Sequence, residues 1–253
     1  LFVDDACLLS FAGSDEDMAR YWAVGRDLGR FDIDPRAAAA HAGRLEVPAP
    51  CDRREAFVVP TDVTFAAVGA DRRALGVPYA GAWLVASRAL SYDYLWNEVR
   101  VKGGAYGADF QTTRAGSTRL YSYRDPRVDE TLARFAGAGA WLSAFNPDEA
   151  EMAGYVVSTV ASVDSPLKAR ELLRRQDGMY LAHYTPEERL RVREQVLACT
   201  PADVRALGQA VERLVGEGHA CVVGNREAIE RSGAGWNVVD VMGVSGAADA
   251  AGE

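Results

Sequence analysis

An arginine and a tyrosine bracket two adjacent glycines in the stretch Arg100–Phe110, RVKGGAYGADF. A guanidinium and a phenol are both hydrogen-bond donors. Converging on one oxygen, they can hold a carbonyl as it becomes an oxyanion, provided an electrophilic metal is supplied from elsewhere. A plainer reading stands beside this one. Arg100 ends a helix, where a cation suits the dipole, Gly103 and Gly104 supply positive φ, and Tyr106 starts a strand as a core residue. Residue types alone leave both readings open.

Other chemistries find less support. His41, His183 and His219 are far apart, and neither HExxH nor HxxEH occurs. His183 and Glu187 are four apart, but Thr185-Pro186 breaks the helix between them. The chain is therefore expected to hold no metal site of its own. No GxSxG elbow is present, and Cys221 lies beside His219 only through strand alternation. Gly103-Gly104 leads into a strand without a following Lys-Ser/Thr, unlike a phosphate-binding loop.

With 28 Lys and Arg against 36 Asp and Glu, the net charge is −8, which argues against nucleic acid or an anionic membrane as partner. The densest basic run, Lys168–Arg175, reads as the solvated face of an amphipathic helix. Four cysteines without a CxxC pair suggest neither a disulfide framework nor a zinc knuckle. They fit a reducing, cytoplasmic setting. No apolar run approaches the roughly 20 residues that span a bilayer. The opening LFVDDACLLSFAG reads as a strand already under way, so a piece of a longer protein is expected.

These residues must be positioned by a sheet and helices. A strand is expected near Ala6–Phe11 and a helix over Glu16–Leu28, followed by a proline-punctuated linker through Arg54. Ala56–Val59 and Val63–Val68 read as strands, the second by its period of two. A helix runs from Pro78 to about Val101, with Trp83 and Trp96 adding bulk to its apolar stripe. Strands follow at about Ala105–Thr113 and Thr118–Tyr123, joined by a turn at Arg114–Ser117. Five helices are announced by a capping residue before proline: Asp125-Pro126, Asn146-Pro147, Ser165-Pro166, Thr185-Pro186 and Thr200-Pro201. Ala220–Val223 and Trp236–Val241 return to the sheet. The expected organisation is residues 1–54 as the end of a preceding domain plus linker, 55–242 as the main domain, and 243–253 as a disordered tail. The fold class is α+β, a mostly antiparallel sheet with helices packed on one face.

Leu95–Gly107, LWNEVRVKGGAYG, resembles the C-terminal half of the pitrilysin/insulinase zinc metallopeptidases, in particular their presequence-protease branch. Tyr92–Leu95, Ser122–Pro126, Asp164–Pro166 and Tyr184–Glu188 agree in order and spacing, so that the similarity covers roughly Glu55 to Val223. The resemblance implies two halves closing like a clamshell around an unfolded peptide. The zinc would be held by the N-terminal half, which is this chain's implied partner. Arg100 and Tyr106 match the family's arginine and tyrosine that reach the substrate. On that pattern Arg100 would orient the substrate carbonyl and Tyr106 would donate to the oxyanion. Gly103, Gly104 and Gly107 would let the backbone approach the peptide. Ser122–Asp125 has a structural explanation, with Asp125 capping a helix and Arg124 paired to a neighbour. The fragment is expected to be inactive alone and to carry no cofactor itself. The alternatives are a non-catalytic structural or peptide-binding subunit of the same fold, and an unrelated α+β interaction module.

Overall fold

The computed structural model describes residues 10–25, 53–233 and 235–242. They fall into two compact units, residues 10–25 with 165–188, and residues 53–164 with 189–242. In the first unit, α1 (Asp15–Gly25) is capped by Ser14, whose hydroxyl accepts the Asp17 N–H while the Asp17 carboxylate accepts the Ser14 N–H. The other helix, α5 (Ala169–Leu181), buries no residue, as the reading of Lys168–Arg175 as a solvated face anticipates. Of the strand expected near Ala6–Phe11, Ser10 and Phe11 are not in a strand, and the rest lies outside the described residues. So do residues 31–52 of the expected linker and the tail 243–253.

The second unit carries a six-stranded sheet: β1 (Arg54–Val58), β2 (Thr64–Asp71), β3 (Gly107–Thr112), β4 (Ser117–Asp125), β5 (His219–Gly224) and β6 (Asn237–Asp240). Their order across the sheet is β3-β4-β2-β5-β1-β6. The sheet is mixed, which corrects the mostly antiparallel expectation. β3–β4, β4–β2 and β2–β5 are antiparallel, but β1 runs parallel to both β5 and β6. Strand direction depends on where a returning strand docks after a long helical crossover. The alternation of residues along each strand is the same either way.

Alternation does set the two faces. Thr64, Ala66 and Val68 of β2 and Thr118, Leu120 and Ser122 of β4 are buried, while Phe65, Arg119 and Tyr123 are exposed. The buried face packs against α2 (Gly81–Ala89), α3 (Val128–Ser143) and α8 (Gly208–Glu217) through Trp83, Phe110, Phe135, Leu142 and Leu214. Fully burying each such side chain is worth about 1.5–3 kcal/mol.

The helix expected from Pro78 to Val101 changes character midway. After α2 the backbone continues as a π-helix over Leu90–Val101, and Lys102 N–H donates to the Asn97 carbonyl, five residues back, at 3.0 Å. Such wide turns are rare and concentrate at functional sites. The later helices are α4 (Glu149–Val163), α6 (Pro186–Leu197), α7 (Pro201–Arg205) and α9 (Arg226–Arg231). Thr185 and Thr200 cap their helices as expected, with Glu188 and Asp203 completing the reciprocal bonds. The other three proline signals are displaced. α3 begins after Arg127, α4 after Asp148, which forms the capping box with Glu151, and α5 after Lys168, whose N–H donates to Glu171.

Candidate active-site cleft

Arg88, Tyr92, Trp96 and Arg100 recur every four residues along α2 and the π-helix and therefore share one face. All four line a cleft of about 580 Å³, whose opposite wall is the open face of β3 and β4 and whose end includes Thr159 and Val163 of α4. Within this row each cation lies over an aromatic ring. The Arg100 guanidinium is 3.9 Å from the Trp96 ring centroid, and that of Arg88 is 4.9 Å from Tyr92.

The glycine segment turns the chain from this helix into β3. Gly104 has φ +83°, the left-handed conformation that ends helices, and its N–H returns to the Arg100 carbonyl at 2.9 Å. Gly103 is buried, and a Cβ there would lie 2.2 Å from the Val99 carbonyl oxygen. The carbonyls this end leaves without helical partners are taken by Arg127, which donates to the Gly103 oxygen at 3.1 Å and to that of Lys102. Tyr106 follows, with its N–H on the Arg124 carbonyl at 3.2 Å.

Tyr106 lines the same cleft as Arg100 and is 59% exposed. Its ring meets Tyr123 edge to face at 5.4 Å, with the Arg124 guanidinium 5.7 Å away over it. Arg124 itself has φ +51° and is the extra residue where the β2–β4 ladder shifts register between the Thr64–Asp125 and Phe65–Tyr123 pairs. Gly107 also lines the cleft. The Tyr123 ring lies so close over it that a Cβ would be 2.2 Å from the ring. Asp125 is fully buried, accepting from the Ser122 hydroxyl at 2.8 Å and the Arg127 N–H at 2.9 Å. It thus braces the β4 end without serving as the N-cap of α3.

Farther along the sheet wall, Tyr121 donates to Asp109 at 3.3 Å and accepts from Gln111 at 3.0 Å. Burial, and then the Asp109 charge, pushes the Tyr121 phenol above its ordinary value and keeps it protonated. β3 is an edge strand, yet the Phe110 N–H and carbonyl are both engaged, by Ser91 at 3.0 Å and Ser87 at 2.6 Å. The helix thereby blunts that edge.

Among the described residues, neither the Arg100 guanidinium nor the Tyr106 hydroxyl has a hydrogen-bond or ion-pair partner. Two donors in one cleft are thus left unsatisfied by the described residues. The support beneath them escaped the sequence reading. Trp96, assigned to an apolar stripe, is 42% exposed and carries Arg100. Tyr123 and Arg124 flank Tyr106. The four-residue spacing of Arg88, Tyr92, Trp96 and Arg100 was the signal that was available. No three of His, Cys, Asp and Glu come together as a metal site among the described residues, and no described helix is long and apolar enough to cross a membrane.

A family model described as the PreP C-terminal domain matches residues 54–225. Presequence protease 1 of Arabidopsis thaliana, chloroplastic/mitochondrial, is 33% identical over 184 residues, 70% of this chain and 17% of that one. Protein HypA of Clostridium perfringens is 31% identical over 180 residues, 71% of this chain and 18% of its own length. The chain thus spans less than a fifth of these relatives. Among solved structures, a peptidase M16 inactive domain from Pseudomonas fluorescens superposes with a TM-score of 0.51 at 16% identity, covering 75% of this chain and 49% of that one. Pitrilysin gives 0.50 at 17% identity, over 75% of this chain and 22% of its own. At such identities these two share the fold alone. Carrying the matched domain over most of its length, the chain belongs to the presequence-protease C-terminal domain family.

Proposed function

We propose that the chain is the C-terminal part of a zinc-dependent endopeptidase that degrades small unfolded peptides, and that Arg100 and Tyr106 are its contacts to the reacting carbonyl. One observation carries this reading: a guanidinium and a phenol, both unpaired among the described residues, line the same cleft. Arg100, steadied by Trp96, holds and orients the substrate carbonyl. The Tyr106 hydroxyl donates a hydrogen bond to the developing oxyanion, where a positioned donor acts on charge that exists only in the transition state. Gly107 lines the cleft beside the peptide, its missing side chain making room for the Tyr123 ring, while Gly104 turns the chain toward β3. Gly103 acts through the fold of the loop. The presequence proteases among the relatives support the peptidase assignment.

Zinc belongs, in this reading, to the N-terminal half that closes over the cleft. The described residues of this chain do not form a site for it, and no step on the metal is assigned to them. The 253-residue chain alone is expected to show no zinc-dependent hydrolysis. The test is Tyr106→Phe in the full-length protein, with zinc content checked. Loss of one preorganised oxyanion donor lowers kcat by about 10²–10³, with KM little changed. A rate near that of the unsubstituted protein would return Tyr106 to a structural role.

A further inference from the structure

We propose that a second cavity, beside the cleft, takes the side chain of a lysine or arginine from the bound peptide. The cavity measures about 820 Å³ and lies between the π-helix, the end of α3 and the start of α4. Asp93, Glu151, Trp141, Phe145 and Tyr155 are among its lining residues. Arg88 and Tyr92 line both this cavity and the cleft. A chain lying in the cleft can therefore send a side chain into the cavity without leaving it. That a peptide lies there is the functional reading given above, and the inference rests on it.

The chemistry of the walls selects a cation. Trp141 and Phe145 meet at 5.7 Å between centroids and Phe145 and Tyr155 at 5.5 Å, forming a continuous aromatic surface. Against it stand two carboxylates without a counterion. The Asp93 carboxylate has no hydrogen bond or ion pair among the described residues, and that of Glu151 accepts only the Asp148 N–H, at 2.9 Å. Arg88, the cation of the wall, is directed instead to the Ser158 carbonyl at 3.1 Å and to the Tyr92 ring. Burial, and then the charge of Glu151, pushes Asp93 above its ordinary value, the expected consequence of gathering such groups uncompensated. A lysine or arginine relieves this, its stem lying along the rings and its head near the carboxylates. A neutral side chain fills the same space and leaves Asp93 unpaired.

The position is also specified. Asp93 precedes Arg100 by seven residues on the same helix, less than about 10 Å along its axis, since the wider turns of a π-helix rise less per residue than an α-helix. An extended peptide covers that distance in about two to three residues. The cation therefore belongs about two to three residues from the carbonyl held by Arg100.

Two capped pentapeptides, acetyl-Ala-Ala-X-Ala-Ala-amide with X lysine or norleucine, test this against the 253-residue chain. They match in stem length and differ in charge, and the indole N–H resonance of Trp141 reports occupancy. The lysine peptide is expected to bind about tenfold tighter. The preference should vanish in Asp93→Asn combined with Glu151→Gln, where glutamine still accepts the Asp148 N–H and keeps α4 capped. Equal affinities for the two peptides on the unsubstituted chain, or a lysine preference surviving both substitutions, would overturn the assignment. Because neither peptide has to be cleaved, a failed Tyr106→Phe test with the lysine preference intact would remove the catalytic reading and leave the cavity assigned.

Discussion

Tyr123 covers Gly107 across the β3–β4 pair and meets Tyr106 edge to face at 5.4 Å. The orientation of an exposed phenol is thus coupled to the absence of a side chain on the residue after it. In Gly107→Ala the new methyl must displace the Tyr123 ring, because backbone and ring would otherwise overlap. The expected outcome is a loss of about 1–3 kcal/mol in stability, the usual range for overpacking. A fall in kcat of the full-length protein beyond that accounted for by unfolded material should accompany it. Urea unfolding together with active-fraction-corrected kinetics separates the two. An alanine variant with unchanged kcat would show that Tyr123 does not orient Tyr106.

Trp96 makes a different prediction, because it supports Arg100 from the exposed side of the helix. Removing the ring leaves the guanidinium free to sample many rotamers. Cation–π contacts are worth about 0.5–2 kcal/mol depending on exposure, so Trp96→Ala should lower kcat/KM by roughly 2- to 30-fold. Trp96→Phe retains a face for the cation and should recover most of the loss. Global stability should move by no more than about 0.5 kcal/mol, as for other surface positions. Peptide hydrolysis by the full-length variants checks the first expectation and urea midpoints the second. Equal rates for all three proteins would mean that Arg100 is held by something else.

Local chemistry was legible in the sequence and long-range docking was not. Thr185-Pro186 and Thr200-Pro201 announced their helices because hydroxyl, proline and acid all act within four residues. Asn146-Pro147 pointed to the right place but lost its helix start to Asp148, which has Glu151 as a reciprocal partner and is therefore the stronger cap. The direction of β1 relative to β5 and β6 was hidden, since the same alternation serves parallel and antiparallel neighbours. The π-helix was hidden as well, because over twelve residues an apolar stripe does not distinguish a ladder of four-residue bonds from one of five. Arg100 and Tyr106 could be singled out by residue type and by the surrounding motif. That they are left unpaired among the described residues depends on how distant segments pack, and so does the role of Trp96, which faces the cleft and not the core.

The start of α7 gives a prediction in pH. Asp203 accepts from the Thr200 hydroxyl at 2.6 Å and from the Thr200 N–H at 2.9 Å, and these bonds hold its carboxyl below the ordinary value of 3.8. The folded state therefore favours the ionised form. Stability from this source is present above the unfolded value, near pH 4, and is lost as the pH falls through the lower folded value. Thr200→Val removes the hydroxyl that caps the helix and bonds the acid, while keeping a β-branched side chain in the extended conformation of the cap. The variant should be less stable at pH 7 by about 1 kcal/mol, a typical capping contribution. That difference should shrink below about pH 4, because the protonated carboxyl no longer gains from the threonine. Urea midpoints for both proteins between pH 3 and 7 measure it. A difference that stays constant through acid would assign the whole effect to the Asp203 N–H bond and none to the carboxylate.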